Sequence, residues 1–346
     1  MILFLSPILF VSAGQPAAAP HPEVVRNPWI NLKVRRALEP SSLAARSTQP
    51  LSLTSADFDE DGMPDLITGY ESPGGGIVVL RSGNVDAVYS NKIDAPPFLA
   101  ASAAFDLPEA PDLLGAGDFD ADGHFDIVTA KRGSNAVYWL PGDGKGGFGP
   151  AQRIDLPGAA LSMVCGEINR MDGLADVIVG VDGKDGAEVL VFEAPDGALQ
   201  REPEEIVMPA PPVALALGHL DDSLTFSLAV AVGSDVAIVH GRDRKLTQLA
   251  QFRESVERPV TELLHIGSPV MDLQVGMFSQ AGPRQLALLT QDGQIRMLKR
   301  NETGWKESNR YHAASPSAGR GTLVKSWTAP LPWESLIALD SEKQQL

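Results

Sequence analysis

Short apolar segments separated by turns recur along most of the chain. Typical examples are residues 77–80 (IVVL), 136–140 (AVYWL) and 228–232 (LAVAV). Runs of this length, bounded by Gly, Asp and Ser, are typical of strands that are buried on both faces. The 33 glycines and 27 prolines favour many turns over long helices. The pattern therefore predicts an all-β fold.

The strands form a repeat of about 50–60 residues, each copy holding a strand, a turn, a second strand, a Gly-rich turn and a third strand. Six positions are equivalent, with spacings of 61, 49, 52, 58 and 50 residues: Asp57, Asp118, Glu167, His219, Met277 and Trp327. This period with several short strands is typical of a β-propeller, one copy per blade. We predict six blades over residues 51–346, with seven as the alternative.

Closure of the ring needs a partner for the last copy, which ends after two strands. The alternating segment 29–34 (WINLKV) is a half-buried strand pattern. We predict that it completes the sixth blade. The alternative is an incomplete or longer array.

Two loops of nearly the same sequence carry the candidate chemistry, 57–65 (DFDEDGMPD) and 118–126 (DFDADGHFD). Each has carboxylates at positions 1, 3, 5 and 9 and a glycine at position 6, where a positive φ curls the loop. Converging oxygens of this kind suit Ca²⁺, with a backbone carbonyl from position 7. The predicted metal ligands are Asp57, Asp59, Asp61, Met63, Asp65, Asp118, Asp120, Asp122, His124 and Asp126.

Two other interpretations of these loops are an ordinary solvated turn and an EF-hand. Asp and Gly also occur in ordinary solvated turns, but two loops with the same spacing, each followed by an apolar strand, favour a cation that offsets carboxylate repulsion. An EF-hand requires Glu at position 12 between helices, whereas this chain has Thr68 and Thr129 between predicted strands.

The later copies depart from this pattern. The third has one extra residue and a weaker predicted site composed of Glu167, Asn169, Asp172 and Asp176. Copies four to six have lost the carboxylates, so we expect their turns to close without metal.

The Asp-x-Asp-x-Asp-Gly-x-x-Asp loop before an apolar strand resembles the FG-GAP/VCBS repeat of integrin α-subunit-type propellers. The turn at residues 142–148 (GDGKGGF) is similar to a turn found in bacterial VCBS members. The resemblance covers residues 50–340, with the motif intact only in the first two copies. It implies Ca²⁺ at those loops and a role as an extracellular adhesion or ligand-binding scaffold; some related propellers belong to polysaccharide-acting enzymes.

The N-terminal segment predicts export. Residues 1–13 are apolar but too short to span a bilayer, and residues 1–19 are typical of a signal peptide, although no Lys or Arg precedes the apolar run. A misassigned start or an N-terminal strand is the alternative. Residues 20–50 would be a linker and N-terminal strand, and we expect a secreted, periplasmic or cell-surface protein.

The net charge of the chain argues against some classes of binding partner, and its single cysteine indicates the environment of the thiol. The net charge of −16 argues against nucleic acid or an anionic membrane surface. The single Cys165 lies in an apolar run, which favours a buried, inert thiol.

No catalytic residue is predicted. The formal Gly142-x-Gly144-x-x-Gly147 match precedes Phe-Gly-Pro rather than a helix, and the six histidines lack metal-ligand spacing. The leading hypothesis is a Ca²⁺-binding adhesion or ligand-binding module for a protein or glycan. The alternative is a polysaccharide lyase or hydrolase that uses the propeller funnel, and a structural segment of a longer surface protein also stays open.

Overall fold

The computed structural model describes residues 49–89, 95–169, 172–221, 223–244, 258–279, 284–312, 321–327 and 334–340. These ranges contain 22 strands, one helix at Val85–Tyr89 and one 3-10 turn at Ala198–Gln200. The predicted signal peptide, the linker and the ring-closing strand at 29–34 lie outside the described residues.

The described strands form six sheets, numbered here in chain order. Sheet 1 consists of β1 Gln49–Ala56, β2 Asp65–Ser72, β3 Gly75–Arg81 and β4 Ala103–Leu107. Sheet 2 consists of β5 Leu113–Gly117, β6 Asp126–Ala130, β7 Ala136–Leu140 and β8 Gln152–Asp155. Sheet 3 consists of β9 Gly158–Gly166, β10 Asp176–Gly183, β11 Gly186–Phe192 and β12 Glu204–Met208. Sheet 4 consists of β13 Pro212–Gly218, β14 Ser227–Val232, β15 Asp235–Val239 and β16 Thr261–His265. Sheet 5 consists of β17 Val270–Gly276, β18 Gln285–Thr290, β19 Gln294–Asn301 and β20 Gly304–His312. Sheet 6 consists of β21 Gly321–Trp327 and β22 Glu334–Asp340.

Every sheet is an antiparallel meander in which consecutive strands pair. The second strands of sheets 2 to 5 are buried along their whole length apart from two residues at the end of β10. This burial on both faces explains why these segments are continuously apolar rather than alternating.

The sheets pack face to face through their first strands. β1 contacts β5, and the same contact continues in order through β9, β13, β17 and β21. The apolar core therefore lies in layers between neighbouring sheets, one between sheets 1 and 2, one between sheets 2 and 3, and so on along the chain. This is the arrangement expected of propeller blades around an axis.

A fourth strand in sheets 1 to 5 was not part of the predicted three-strand unit. These strands lie at the outer edge and bury only one face, as in β16, where exposed and half-buried residues alternate. Their polar composition, for example QRID in β8, therefore gives a weak sequence signal. Within the described ranges five sheets have four strands and one has two; the number of blades in a closed ring stays a prediction.

Candidate metal centre

The two acidic loops occupy equivalent places in neighbouring sheets. Residues 57–65 connect β1 to β2, and residues 118–126 connect β5 to β6. Position 4 of each loop, Glu60 and Ala121, has a positive φ of 56° and 62°. Position 6 is a glycine with φ of 86° or 91°, a conformation that only glycine adopts without strain. These two left-handed residues curl each loop back on itself.

The curl brings three carboxylates of each loop together. Asp57, Asp59 and Asp61 each offer an oxygen within 4.8 Å of the others, and so do Asp118, Asp120 and Asp122. Among the described residues these are the only groups of three or more acidic, His or Cys side chains with that spacing. The structure thus forms both triads that the sequence predicted at positions 1, 3 and 5.

Backbone donors orient these carboxylates. In the first loop Gly62 N donates to Asp57 Oδ2 at 3.0 Å, and Met63 N donates to Asp61 Oδ1 at 2.8 Å. The second loop repeats both bonds in the same register. There Gly123 N donates to Asp118 Oδ2 at 3.0 Å and His124 N to Asp122 Oδ1 at 2.8 Å. The two loops therefore share one construction.

The residues fit a hard cation. Asp59 Oδ1 and Asp118 Oδ1 are buried and accept no hydrogen bond, although a buried carboxylate oxygen without a partner is costly. A divalent ion bound by several oxygens, including carboxylates, would satisfy these atoms. Burial, and after it the negative charge of Asp122, raises the pKa of the Asp120 carboxyl group. A bound cation would relieve this repulsion between carboxylates.

Position 7 of each loop was predicted to contribute its backbone carbonyl rather than its side chain. The Met63 side chain is buried. The His124 ring instead reaches the first loop, where its Nδ1 lies 2.6 Å from Glu60 Oε1. This pair raises the pKa of His124. The role of both residues as backbone-carbonyl ligands stays a prediction.

The aspartate at position 9 of each loop has a structural role that the sequence did not indicate. Asp65 and Asp126 are fully buried. Asp65 accepts hydrogen bonds from Phe58 N at 2.9 Å and Gly83 N at 2.8 Å. Burial raises the pKa of both carboxyl groups, that of Asp126 to about 6, even though two backbone N–H groups lower each of them. These aspartates anchor the loops, and their predicted role as ligands stays a prediction.

The third loop is built differently. Its last residue, Asp176, accepts a hydrogen bond from Ile168 N at 2.8 Å, as Asp65 and Asp126 do from the equivalent position. Asn169, however, is buried and turned away, its Nδ2 donating to Glu193 Oε2 at 2.8 Å. Glu167, Asp172 and Asp176 do not form a group with the spacing of the first two triads. The weaker site at these four residues stays a prediction.

The sequence also did not indicate the contacts that the first loop makes with sheet 2. Gly146 N, in the turn after β7, donates to Phe58 O at 3.0 Å. The Phe58 ring meets Phe148 edge to face, with centroids 5.5 Å apart, and Phe125 at 6.2 Å. The recurring Phe at position 2 was the available signal, since Phe58 and Phe119 are both fully buried beneath their loops.

The comparisons with known proteins agree with this geometry. Residues 118–179, which include the second and third loops, match the family model of the FG-GAP-like repeat. A chain in the crystal structure of BBS1N in complex with ARL6DN, soaked with lead, aligns with a TM-score of 0.54 and 13% identity over 84% of this chain and 75% of that chain. A search of curated proteins gives no match.

A second structural neighbour supports the same fold. A chain from the humanized mutant of the Chaetomium thermophilum Polycomb Repressive Complex 2, bound to the inhibitor GSK126, aligns with a TM-score of 0.53 and 9% identity over 88% of this chain and 70% of that chain. At these identities the likeness concerns the fold alone. Together with the repeat match, it shows a β-propeller-like fold that contains an FG-GAP-like repeat at residues 118–179. In the described part of the chain no helix has the length and apolar character needed to cross a bilayer.

Proposed function

We propose that this protein is an extracellular ligand-binding module whose first two sheets bind Ca²⁺. The observation that carries the proposal is the pair of carboxylate triads, each with oxygens within 4.8 Å of one another and at the same place in neighbouring sheets. The orphaned oxygens Asp59 Oδ1 and Asp118 Oδ1 support it. Ca²⁺ would act as a structural ion that holds both loops in their curled form.

A Ca²⁺ affinity in the range of extracellular calcium-binding modules suits this structural role. At a Kd of about 10⁻⁴ M, 1 mM Ca²⁺ stabilises the folded state by about 1.4 kcal/mol per site. Two sites would therefore contribute about 3 kcal/mol, a substantial part of the stability of an ordinary domain. Export of the chain, as the N-terminal segment predicts, would expose the loops to such calcium levels.

The ligand would be an extracellular protein or a carbohydrate. Loops on a rigid scaffold are the usual place for binding, and the loops before β2, β6 and β10 all follow the same end of their first strands. The net charge of −16 favours a neutral or basic partner over nucleic acid. The BBS1N neighbour was determined in complex with ARL6DN, which supports a protein partner by analogy of fold alone.

Calcium binding can be tested by isothermal titration calorimetry and thermal unfolding. We expect the wild-type chain to bind Ca²⁺ and to melt several degrees lower in EGTA. The double variant Asp59→Asn/Asp120→Asn should melt at the same temperature in calcium and in EGTA. A matched control is Asp185→Asn, in the exposed turn between β10 and β11, which should keep the full response to calcium.

A wild-type protein that binds no Ca²⁺ and melts identically in EGTA would contradict the metal part of the proposal. The ligand is then sought on arrays of proteins and glycans, probed with and without calcium. Cleavage of a polysaccharide during the same screen would favour the enzymatic alternative instead.

A further inference from the structure

We propose that sheets 3 and 4 hold position 3 of the loop by a hydrogen bond to a side chain of their own, Glu193 in sheet 3 and His240 in sheet 4, where sheets 1 and 2 would use a cation. The inference rests on the calcium binding proposed above and extends it. Calcium would act on the first two sheets only, and the loops of sheets 3 and 4 would be held without metal.

The replacement is visible at one equivalent position. The second and third strands pair in the same register in all four sheets, Leu66 with Arg81, Ile127 with Leu140, Val177 with Phe192 and Leu228 with Val239. The next residue along the chain therefore occupies the same place in each sheet. These four residues are Ser82, Pro141, Glu193 and His240.

In sheets 3 and 4 this residue binds position 3 of the loop. Asn169, at position 3 of the third loop, donates from Nδ2 to Glu193 Oε2 at 2.8 Å. In the fourth loop the corresponding residue is Asp221, and its Oδ2 lies 2.8 Å from His240 Nδ1. Two unrelated pairs of residue types thus make the same connection at the same distance.

Both connections are sheltered from solvent. The Glu193 side chain is 3% exposed and pairs with Arg244 NH1 at 3.0 Å. Arg242 N donates to Asn169 Oδ1 at 3.0 Å. In sheet 4 the ring of His240 lies between two carboxylates, with its Nε2 3.5 Å from Glu262 Oε2. Arg244 therefore provides positive charge beside the third loop, and the His240 ring provides a hydrogen-bonding partner for the fourth.

Sheets 1 and 2 lack an equivalent partner. Pro141 has no hydrogen-bonding side chain, and Ser82 is short and uncharged. In these two sheets position 3 is an aspartate in a carboxylate triad, and in the first loop its Oδ1, that of Asp59, is buried without a donor.

The first test is the calcium stoichiometry of the full chain, measured by equilibrium dialysis with Ca²⁺ and by hydrogen exchange with and without EGTA. We expect two equivalents of Ca²⁺, and faster exchange in EGTA at 57–65 and 118–126 but not at 167–176 or 219–227. Three or four equivalents, or exchange in the third or fourth loop that responds to EGTA, would overturn this inference and leave the proposed function intact. Zero equivalents would overturn both.

The second test compares variants in calcium and in EGTA. Glu193→Gln keeps an acceptor for Asn169 but loses the ion pair with Arg244, and His240→Ala loses the bond to Asp221. Each should lower the melting temperature by the same amount in both buffers, whereas Asp120→Asn should lower it only in calcium. Ser82→Ala and Pro141→Ala are the matched controls at the equivalent position. A loss in Glu193→Gln or His240→Ala that appears only in calcium would overturn the inference.

Discussion

The backbone N–H of Gly142 donates a hydrogen bond of 2.7 Å to Oδ1 of Asp126. Gly83 makes the same bond to Asp65 in sheet 1, at 2.8 Å. Each bond ties the start of a second strand to the residues that follow the third strand. Hydrogen bonds of the protein itself therefore fix the loop to the sheet.

This contact requires glycine because two backbone segments of the sheet lie very close together. A Cβ on Gly142 would lie 2.1 Å from Phe125 O, and one on Gly241 would lie 2.0 Å from Phe226 O. Sheet 3 has Ala194 at this place, and its loop is one residue longer.

We predict that Gly142→Ala destabilises the protein by about 1–3 kcal/mol, because the added methyl group collides with a backbone carbonyl that cannot move alone. The loss should appear in urea unfolding both with calcium and with EGTA. The matched control is Ala194→Gly, which should cost about 1 kcal/mol or less. Equal losses in the two variants would show that the close approach is not needed.

A pH prediction concerns Asp272 in β17. Burial raises the pKa of its carboxyl group from 3.8 to about 6, although hydrogen bonds from Leu323 N and Leu273 N and the charge of Arg132 lower it. Between these two values the folded state binds more protons than the unfolded state. This group therefore makes the free energy of unfolding fall as the pH rises from about 4 to 6.

The variant Asp272→Asn lacks this titration. Its free energy of unfolding, compared with that of the wild type, should rise by about 1–3 kcal/mol between pH 4 and pH 7. Urea unfolding in EGTA measures the difference without a contribution from bound calcium. Asp185→Asn, an exposed change of the same kind, should show a difference that does not depend on pH. A pH-independent difference for Asp272→Asn would contradict the prediction.

Cys165 should be unreactive in the folded protein. Burial raises the pKa of its thiol to about 12, and its sulfur packs so closely on β5 that a Cβ at Gly115 would lie 2.2 Å from it. Since the thiolate is the nucleophile and Cys165 is only partly exposed, a chromogenic disulfide reagent should label it much more slowly than an exposed cysteine. An exposed cysteine made by Asp185→Cys should react in seconds. Rapid labelling of the wild type would show that the thiol is accessible.

The strands and the acidic triads were predictable because both depend on local sequence. Continuous apolar runs mark strands that are buried on two faces, and the third strand of sheet 2 begins and ends at the predicted residues, 136 and 140. The spacing of carboxylates at positions 1, 3 and 5, with glycine at 6, sufficed to bring Asp57, Asp59 and Asp61 together. The outer strands were missed because half-exposed edge strands are polar and short.

The sequence by itself determined an all-β repeat protein with two acidic loops of one design. Only the tertiary structure decided which side chains meet those loops from elsewhere in the chain, such as Gly142 at Asp126, Glu193 at Asn169 and His240 at Asp221. The partners of these bonds lie 16 to 24 residues apart in the chain. They become neighbours only when the second and third strands pair in register, so no local pattern can reveal them.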